Sequence, residues 1–157
     1  MFKILKNTFL VVILGIFISA CSTTAKKSKS VGAGDVYTGT DTVKYLATGV
    51  ADRVFFATNS TGLTSAAKAT LSKQAGYIKS SKISVVIEGH ADERGTREYN
   101  LALGERRANA ARDYLMAKGV AKSSIKVISY GKERPANTDS SKLAWSQNRR
   151  SVTVKAK

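Results

Sequence analysis

The chain has 157 residues, a formal net charge of +15, one cysteine and one histidine. This length suits one domain with additional segments, and the excess of Lys and Arg favours anionic partners. A single histidine among many basic residues is a poor basis for a metal site, so we expect neither a metal nor a cofactor. A lone cysteine in a chain with an export signal needs an explanation from its position.

Residues 1–20 have the pattern of a secretory signal, with two early lysines, an apolar core over residues 9–18 and small residues at the cut. The core is too short to span a bilayer comfortably. The sequence ISAC at residues 18–21 resembles the bacterial lipobox, which implies cleavage before Cys21 and acylation of its sulfur. An ordinary secreted protein with a stray thiol is the alternative.

Residues 22–34 read STTAKKSKSVGAG and are typical of a flexible linker. Residues 35–50 are mixed, and their Val, Tyr and Leu side chains can dock on a domain. We therefore predict a signal peptide over residues 1–20, a lipidated N-terminus and flexible linker over 21–50, and one domain over 51–157.

The domain shows alternating strand and helix patterns. The predicted strands are 53–57, 82–89, 124–130 and 150–154, and the predicted helices are 63–79, 96–118 and a short one at 139–147. Thr61 or Thr64 could cap the first helix, and Thr96 or a neighbour begins the second. This β-α-β-α-β-(α)-β order predicts an α/β (α+β) two-layer sandwich with a mixed sheet and helices on one face. The last strand is expected to return antiparallel as an edge.

The most informative segment, VIEGHADERGTREYNLALGERRANAARDYL at residues 86–115, runs from a buried strand through a polar loop into a helix. Asn100, Leu103 and Arg107 share one stripe of that helix. Asp92 lies at the carboxyl end of the strand, where open α/β sheets bind ligands. Asp92 can receive an ammonium and Arg107 a carboxylate, so this pair suits a zwitterion.

Two further groups complete this hypothesis. Asn100 can fix the loop or the ligand, and backbone N–H groups near Ala57 and Thr58 can add to a carboxylate seat. An internal Asp92–Arg107 salt bridge without a ligand explains the same spacing and remains open.

Two other classes of function are disfavoured. An enzyme would have to use Glu88, His90 and Asp92, but the chain has no Gly-x-Ser-x-Gly motif and little to furnish a metal centre, so no catalysis is expected. Nucleic-acid binding would depend on charge alone, and the export signal argues against it.

The segment EGHADERGTREYNLALGERRANAARDYL resembles the signature of the OmpA-like peptidoglycan-binding domain, in the version carried by lipoproteins of the Tol–Pal system. SYGKERPA at residues 129–136 and Asn148-Arg149-Arg150 match later parts of the same family. The similarity extends over residues 54–154, about the whole expected domain.

The resemblance implies non-covalent binding to the diaminopimelate of uncrosslinked peptidoglycan stem peptides. The family's functional Asp and Arg fall on Asp92 and Arg107, and its supporting Asn and Leu on Asn100 and Leu103. The family's first-strand site reads Phe-Asp-x-Asp, whereas this chain has Phe56-Ala57-Thr58-Asn59 and lacks both acids.

The resemblance also implies a cellular role. It predicts a lipoprotein anchored in the outer membrane through Cys21, facing the periplasm and coupling that membrane to the cell wall during division. A TolB-like periplasmic protein and other Tol components would be partners. A structural envelope lipoprotein that acts as a protein–protein adaptor without specific peptidoglycan recognition is the alternative.

Overall fold

The computed structural model describes residues 35–157 of the protein. The predicted signal peptide and the predicted lipidation site, Cys21, lie outside these described residues. The strands are β1 (Tyr45–Ala47), β2 (Val50–Ala51), β3 (Arg53–Phe55), β4 (Val85–His90), β5 (Ile125–Gly131) and β6 (Arg150–Lys155), and the helices are α1 (Ser65–Ser81), α2 (Arg97–Ala117) and α3 (Lys142–Asn148). No helix within residues 35–157 has the length and apolar character needed to cross a membrane.

Threonine side chains cap both long helices. The Thr64 hydroxyl accepts a hydrogen bond from the backbone N–H of Ala67 at 3.1 Å, and α1 begins at the next residue. Thr96 does the same for the N–H of Tyr99 at 3.2 Å, and Glu98 places a carboxylate in the first turn of α2. Each cap satisfies a backbone donor that the helix leaves unpaired. The predicted start of α2 at Thr96 is therefore confirmed, whereas α1 is capped by Thr64, one of its two candidates, and begins two residues after the predicted position.

The four strands of the main sheet lie in the order β3-β6-β4-β5. β4 and β5 are parallel, whereas β6 runs antiparallel to both β3 and β4. The predicted antiparallel direction of the last strand is confirmed, but its predicted place at an edge is wrong. β6 inserts between β3 and β4, where its backbone groups on both sides find partners.

The helices α1 and α2 cover one face of this sheet, as predicted. The shared core is apolar and includes Val54, Phe56, Leu71, Ile78, Val85, Ile87, Ala108, Ala111 and Leu115. α2 crosses β4 at very short range, because a Cβ atom on Gly89 would lie only 1.8 Å from the carbonyl oxygen of Gly104. Two glycines therefore allow α2 to start directly beside the carboxyl end of β4.

Residues 35–50, part of the predicted linker, pack on the domain. β1 and β2 form an antiparallel hairpin. The side chains of Tyr37 and Leu46 are buried, and the Tyr37 ring meets the Phe55 ring edge-on at a centroid distance of 4.8 Å. The packed unit therefore already includes Asp35, the first residue that the structure describes.

Candidate functional site

A cleft of about 230 Å³ opens where β4 ends and α2 begins. The loop after β4 and the first turns of α2 form two of its walls, and the loop between β3 and α1 forms the third. Its lining residues are Thr58, Asn59, Asp92, Arg94, Gly95, Tyr99, Asn100, Leu103 and Arg107. The structure thus brings Asp92, Asn100, Leu103, Arg107 and Thr58, five of the residues predicted from the sequence, into one cavity.

Arg107 lies at the floor of the cleft and is fully buried. Its guanidinium donates three hydrogen bonds to backbone carbonyl oxygens: Nε to Ser60 at 3.0 Å, Nη1 to His90 at 2.9 Å and Nη2 to Ala57 at 3.1 Å. A guanidinium has five N–H groups, so two are left for another acceptor. The carbonyls fix the orientation of the group without neutralising its charge.

No carboxylate forms an ion pair with Arg107 in the part of the chain that the structure describes, so the alternative of an Asp92–Arg107 salt bridge is wrong. Burial and the charge of Arg149 lower the pKa of Arg107 to about 10, against an opposing effect of Asp92. The group remains a cation at neutral pH. A buried cation without a bonded counter-ion favours the entry of an anion.

Asp92 is the negative group of the cleft, and its side chain is largely buried. Burial alone would raise its pKa, but hydrogen bonds from Arg94 and Arg149 outweigh burial and hold the pKa below 3.8. Arg94 donates from its backbone N–H, Nε and Nη2 at 3.1, 3.0 and 2.7 Å, and Arg149 from Nη1 at 3.3 Å. The carboxylate is therefore ionised at neutral pH.

Arg94 covers Asp92 from the solvent side. Its side chain is 42% exposed, and its guanidinium carbon lies 4.3 Å from the ring centroid of Trp145. The Trp145 indole is itself fixed by a 2.8 Å hydrogen bond to Glu93. Arg94 is the more exposed of the two arginines that contact Asp92, so it is the one that a competing cation meets first.

Asn100 and Leu103 support the cleft from α2. Asn100 is buried, and its Nδ2 donates to the backbone carbonyl of Arg94 at 2.7 Å, so it fixes the loop. Gly95 adopts a positive φ of 90° within that loop, a conformation that other residues rarely adopt. Leu103 adds a buried apolar wall.

The first-strand residues play different parts. The Phe56 ring is buried 5.4 Å from the Arg107 guanidinium carbon and is not a lining residue of the cleft. Ala57 supplies its carbonyl to Arg107. Thr58 lines the cleft, but its backbone N–H, predicted as part of a carboxylate seat, already donates to Asp35 at 3.2 Å.

The sequence prediction of the site missed Arg94 and Tyr99, which line the cleft, and Asp35 and Arg149, which lie beside it. Arg149 is buried, donates from Nε to the carbonyl of Phe56 at 3.0 Å, and contacts Asp92 and Asp35 through its two terminal nitrogens. The Asn148-Arg149-Arg150 motif in the sequence could have indicated that Arg149 belongs to the site. Asp35 falls in the predicted linker, 114 residues away from Arg149, and no local pattern points to it.

Of the residues of the disfavoured enzymatic alternative, His90 and Glu88 are not lining residues of the cleft. The His90 ring is buried, with its Nε2 3.6 Å from a Glu88 oxygen, and burial together with Arg150, Arg53 and Arg134 lowers its pKa to about 3. Residues 35–157 contain no group of three or more potential metal ligands from His, Cys, Asp and Glu.

Proteins of known sequence and structure place the chain in a family. Residues 55–149 match the OmpA family model. A peptidoglycan-associated lipoprotein from Mesorhizobium japonicum is 57% identical over 106 residues, which cover 67% of this chain and 63% of that protein, less than two thirds of its length. A protein of the same name from Brucella melitensis is 44% identical over 147 residues, 90% of this chain and 86% of that relative.

A solved structure with a similar fold carries the same protein name as these sequence relatives. The crystal structure of the peptidoglycan-associated lipoprotein from Burkholderia pseudomallei matches with a TM-score of 0.65 and 39% identity, covering 67% of this chain and 90% of that one. The family model spans more than half of the sequence, including every residue that lines the cleft. The chain belongs to the OmpA family.

Proposed function

We propose that this protein binds peptidoglycan non-covalently, by holding the zwitterionic end of a diaminopimelate side chain in the cleft between Asp92 and Arg107. The relatives named peptidoglycan-associated lipoprotein support peptidoglycan as the polymer that is bound. The opposite charges of Asp92 and Arg107 in the cleft support a zwitterionic group as the part of the polymer that is held.

The observation that carries the proposal is the state of Arg107. A fully buried guanidinium is held by three backbone carbonyls and pairs with no acid in the described residues. A ligand carboxylate would provide the missing negative charge and accept hydrogen bonds from the two remaining N–H groups. The carbonyls hold the guanidinium in place before the ligand arrives, which reduces the entropic cost of binding.

Asp92 would bind the ammonium of the same ligand. Arg94 now occupies the solvent side of this carboxylate, so the ammonium would share Asp92 with Arg94 or displace it. Because the Arg94 side chain is partly exposed, its movement need not disturb the core. Leu103 would contact the aliphatic part of the ligand.

For the whole protein, we propose an outer-membrane lipoprotein of the Tol–Pal system, anchored through Cys21 and linking that membrane to the wall. A TolB-like periplasmic protein would be a partner. The lipobox-like sequence at residues 18–21 and the named relatives support this role.

Cosedimentation of the full-length protein with purified cell-wall sacculi tests the binding proposal. Asp92→Asn removes the charge with little change in shape, and Arg107→Lys keeps the charge but removes the planar fork. Each change should weaken binding at least about tenfold, since both disrupt a desolvated charged contact. Asp113→Asn, which changes an exposed carboxylate of α2, is the matched control and should bind like the wild type.

Binding by the wild type should persist at moderate salt, because the contacts are shielded from solvent. Equal sedimentation of the wild type, Asp92→Asn and Arg107→Lys would contradict the proposed site. Wall association that disappears in moderate salt for every variant would favour the adaptor alternative.

A further inference from the structure

Asp35 connects the N-terminal segment, here residues 35–47, to the cleft. We propose that Asp35 is a positioning residue of the ligand site: it neutralises Arg149 and holds Thr58, so that Asp92 remains available to a ligand ammonium. This inference rests on the proposed function, because it assigns a further residue to the same site.

Asp35 contacts one wall of the cleft directly, at Thr58, and reaches Asp92 on another wall only through Arg149. One oxygen of its carboxylate accepts hydrogen bonds from the backbone N–H of Thr58 at 3.2 Å and from the Thr58 hydroxyl. The other oxygen pairs with Nη2 of Arg149, which also donates to the Asp35 backbone carbonyl. Thr58 is a lining residue of the cleft, so Asp35 fixes part of its rim from outside.

Arg149 joins Asp35 to the negative group of the site. Its guanidinium is 2% exposed and lies between two carboxylates, with Nη2 on Asp35 and Nη1 on Asp92 at 3.3 Å. A negative partner stabilises a buried cation. Asp35 gives Arg149 a negative partner that does not depend on the ligand. Without Asp35, Asp92 would be the only carboxylate paired with Arg149, and Arg149 would compete with the incoming ammonium for it.

This arrangement couples the N-terminal segment to the occupancy of the cleft. Coupling between two equilibria is reciprocal, so a ligand that binds better when Asp35 is docked must also stabilise the docked segment. Residues 35–47, including the buried Tyr37, should therefore become more protected when the cleft is filled.

The test is calorimetric titration of the full-length protein, in detergent, with a stem tripeptide that ends in diaminopimelate. Asp35→Asn should bind about tenfold more weakly than the wild type, Asp35→Glu should recover part of that loss, and Asp113→Asn should bind normally. With the same tripeptide acetylated on the diaminopimelate amine, which cannot place an ammonium on Asp92, the wild type and Asp35→Asn should bind alike. Hydrogen exchange of residues 35–47, measured with and without ligand, provides a second readout.

The outcomes separate this inference from the proposed function. A wild-type protein that does not bind the tripeptide overturns both. A wild type that binds, with Asp35→Asn binding equally well or more tightly and exchange of residues 35–47 unchanged by ligand, overturns the role of Asp35 alone. The Asp35 side chain is 46% exposed, so Asp35→Asn should fold, and circular dichroism of each variant confirms it.

Discussion

At the residue scale, Arg107 shows how a site charge can be prepared before a ligand binds. Its spacing from Asn100 and Leu103 predicted that the three residues share one stripe of a helix, and the structure places all three in the lining of the cleft. The three carbonyls that hold it come from Ala57, Ser60 and His90. They were not predictable, because backbone acceptors carry no sequence signal and two of them come from a loop 47 to 50 residues upstream.

The same contacts determine which variants are informative. Arg107→Ala would leave three carbonyls without this donor and open a void beneath Phe56, so it should destabilise the fold as well as binding. We expect a loss of about 1–3 kcal/mol in the free energy of unfolding by urea denaturation, because buried carbonyl oxygens lose their donor. Unchanged stability of Arg107→Ala would show that these hydrogen bonds contribute little.

The lowered pKa of His90 predicts that the stability of the protein depends on pH. Its pKa in the folded protein is about 3, below the value of 6.5 in the unfolded chain, so the unfolded state binds the extra proton. The stabilisation is complete above the unfolded pKa and is lost as pH falls from 6.5 towards 3. In that window the free energy of unfolding should fall by roughly 1.4 kcal/mol per pH unit because of this group.

Urea unfolding of the wild type and His90→Gln between neutral pH and pH 5.5 measures this contribution. The slope of the unfolding free energy against pH differs between the two proteins by the proton uptake of His90, whatever the absolute stability of the variant. Carboxylates such as Asp92, whose pKa is also lowered, contribute mainly at lower pH. Parallel pH profiles for the two proteins would mean that His90 titrates normally in the folded state.

At the element scale, the position of the cleft depends on the close crossing of α2 and β4. A Cβ atom at Gly89 would meet the Gly104 carbonyl oxygen at 1.8 Å, so Gly89→Ala must push the helix away from the strand. We expect a loss of about 3 kcal/mol or more in the free energy of unfolding, because the atom in the way is backbone. Thermal or urea unfolding measures this loss.

Gly76→Ala is the matched control. Gly76 lies in α1, is exposed, and has no heavy atom within 4 Å of an added Cβ. Because alanine favours a helix more than glycine does, this change should stabilise the protein by about 1 kcal/mol. Similar losses for Gly76→Ala and Gly89→Ala would contradict the importance of the crossing.

The sequence predicted the helices and strands of the sheet better than their arrangement. Threonine caps, helical spacing and short β-rich apolar runs are local signals, and they placed both long helices and four strands. The insertion of β6 between β3 and β4 depends on which backbone edges meet in three dimensions, and alternation along β6 does not encode that choice. The hairpin of β1 and β2 was missed because its strands have only three and two residues.

At the scale of the whole molecule, the start of the described chain lies beside the proposed ligand cleft. Asp35, the first described residue, contacts Thr58 at the rim and Arg149 behind Asp92. A membrane anchor ahead of this point would connect to the domain beside its binding site. This placement agrees with a protein that connects a membrane to a polymer.

The anchor itself can be tested separately. Cys21→Ala should remove the acceptor of the lipid, so metabolic labelling with palmitate should mark the wild type and leave the variant unmarked. The variant should also partition into the soluble fraction, because several acyl chains, each CH₂ contributing about 0.8 kcal/mol, would hold the wild type at a membrane. Equal labelling of the two proteins would contradict the assignment of residues 18–21 as a lipobox.

We propose that Asp92 and Arg107 bind the opposite charges of one zwitterionic ligand. The most direct test of this proposal is an NMR titration of the protein with a diaminopimelate-containing muropeptide, following each backbone amide and the arginine side-chain N–H signals. We expect saturable shifts to concentrate at Asp92, Arg94, Leu103 and the Arg107 guanidinium, and we expect Asp92→Asn to weaken binding greatly. Shifts confined to another surface, or unchanged binding by Asp92→Asn, would show that Asp92 and Arg107 do not bind the ligand.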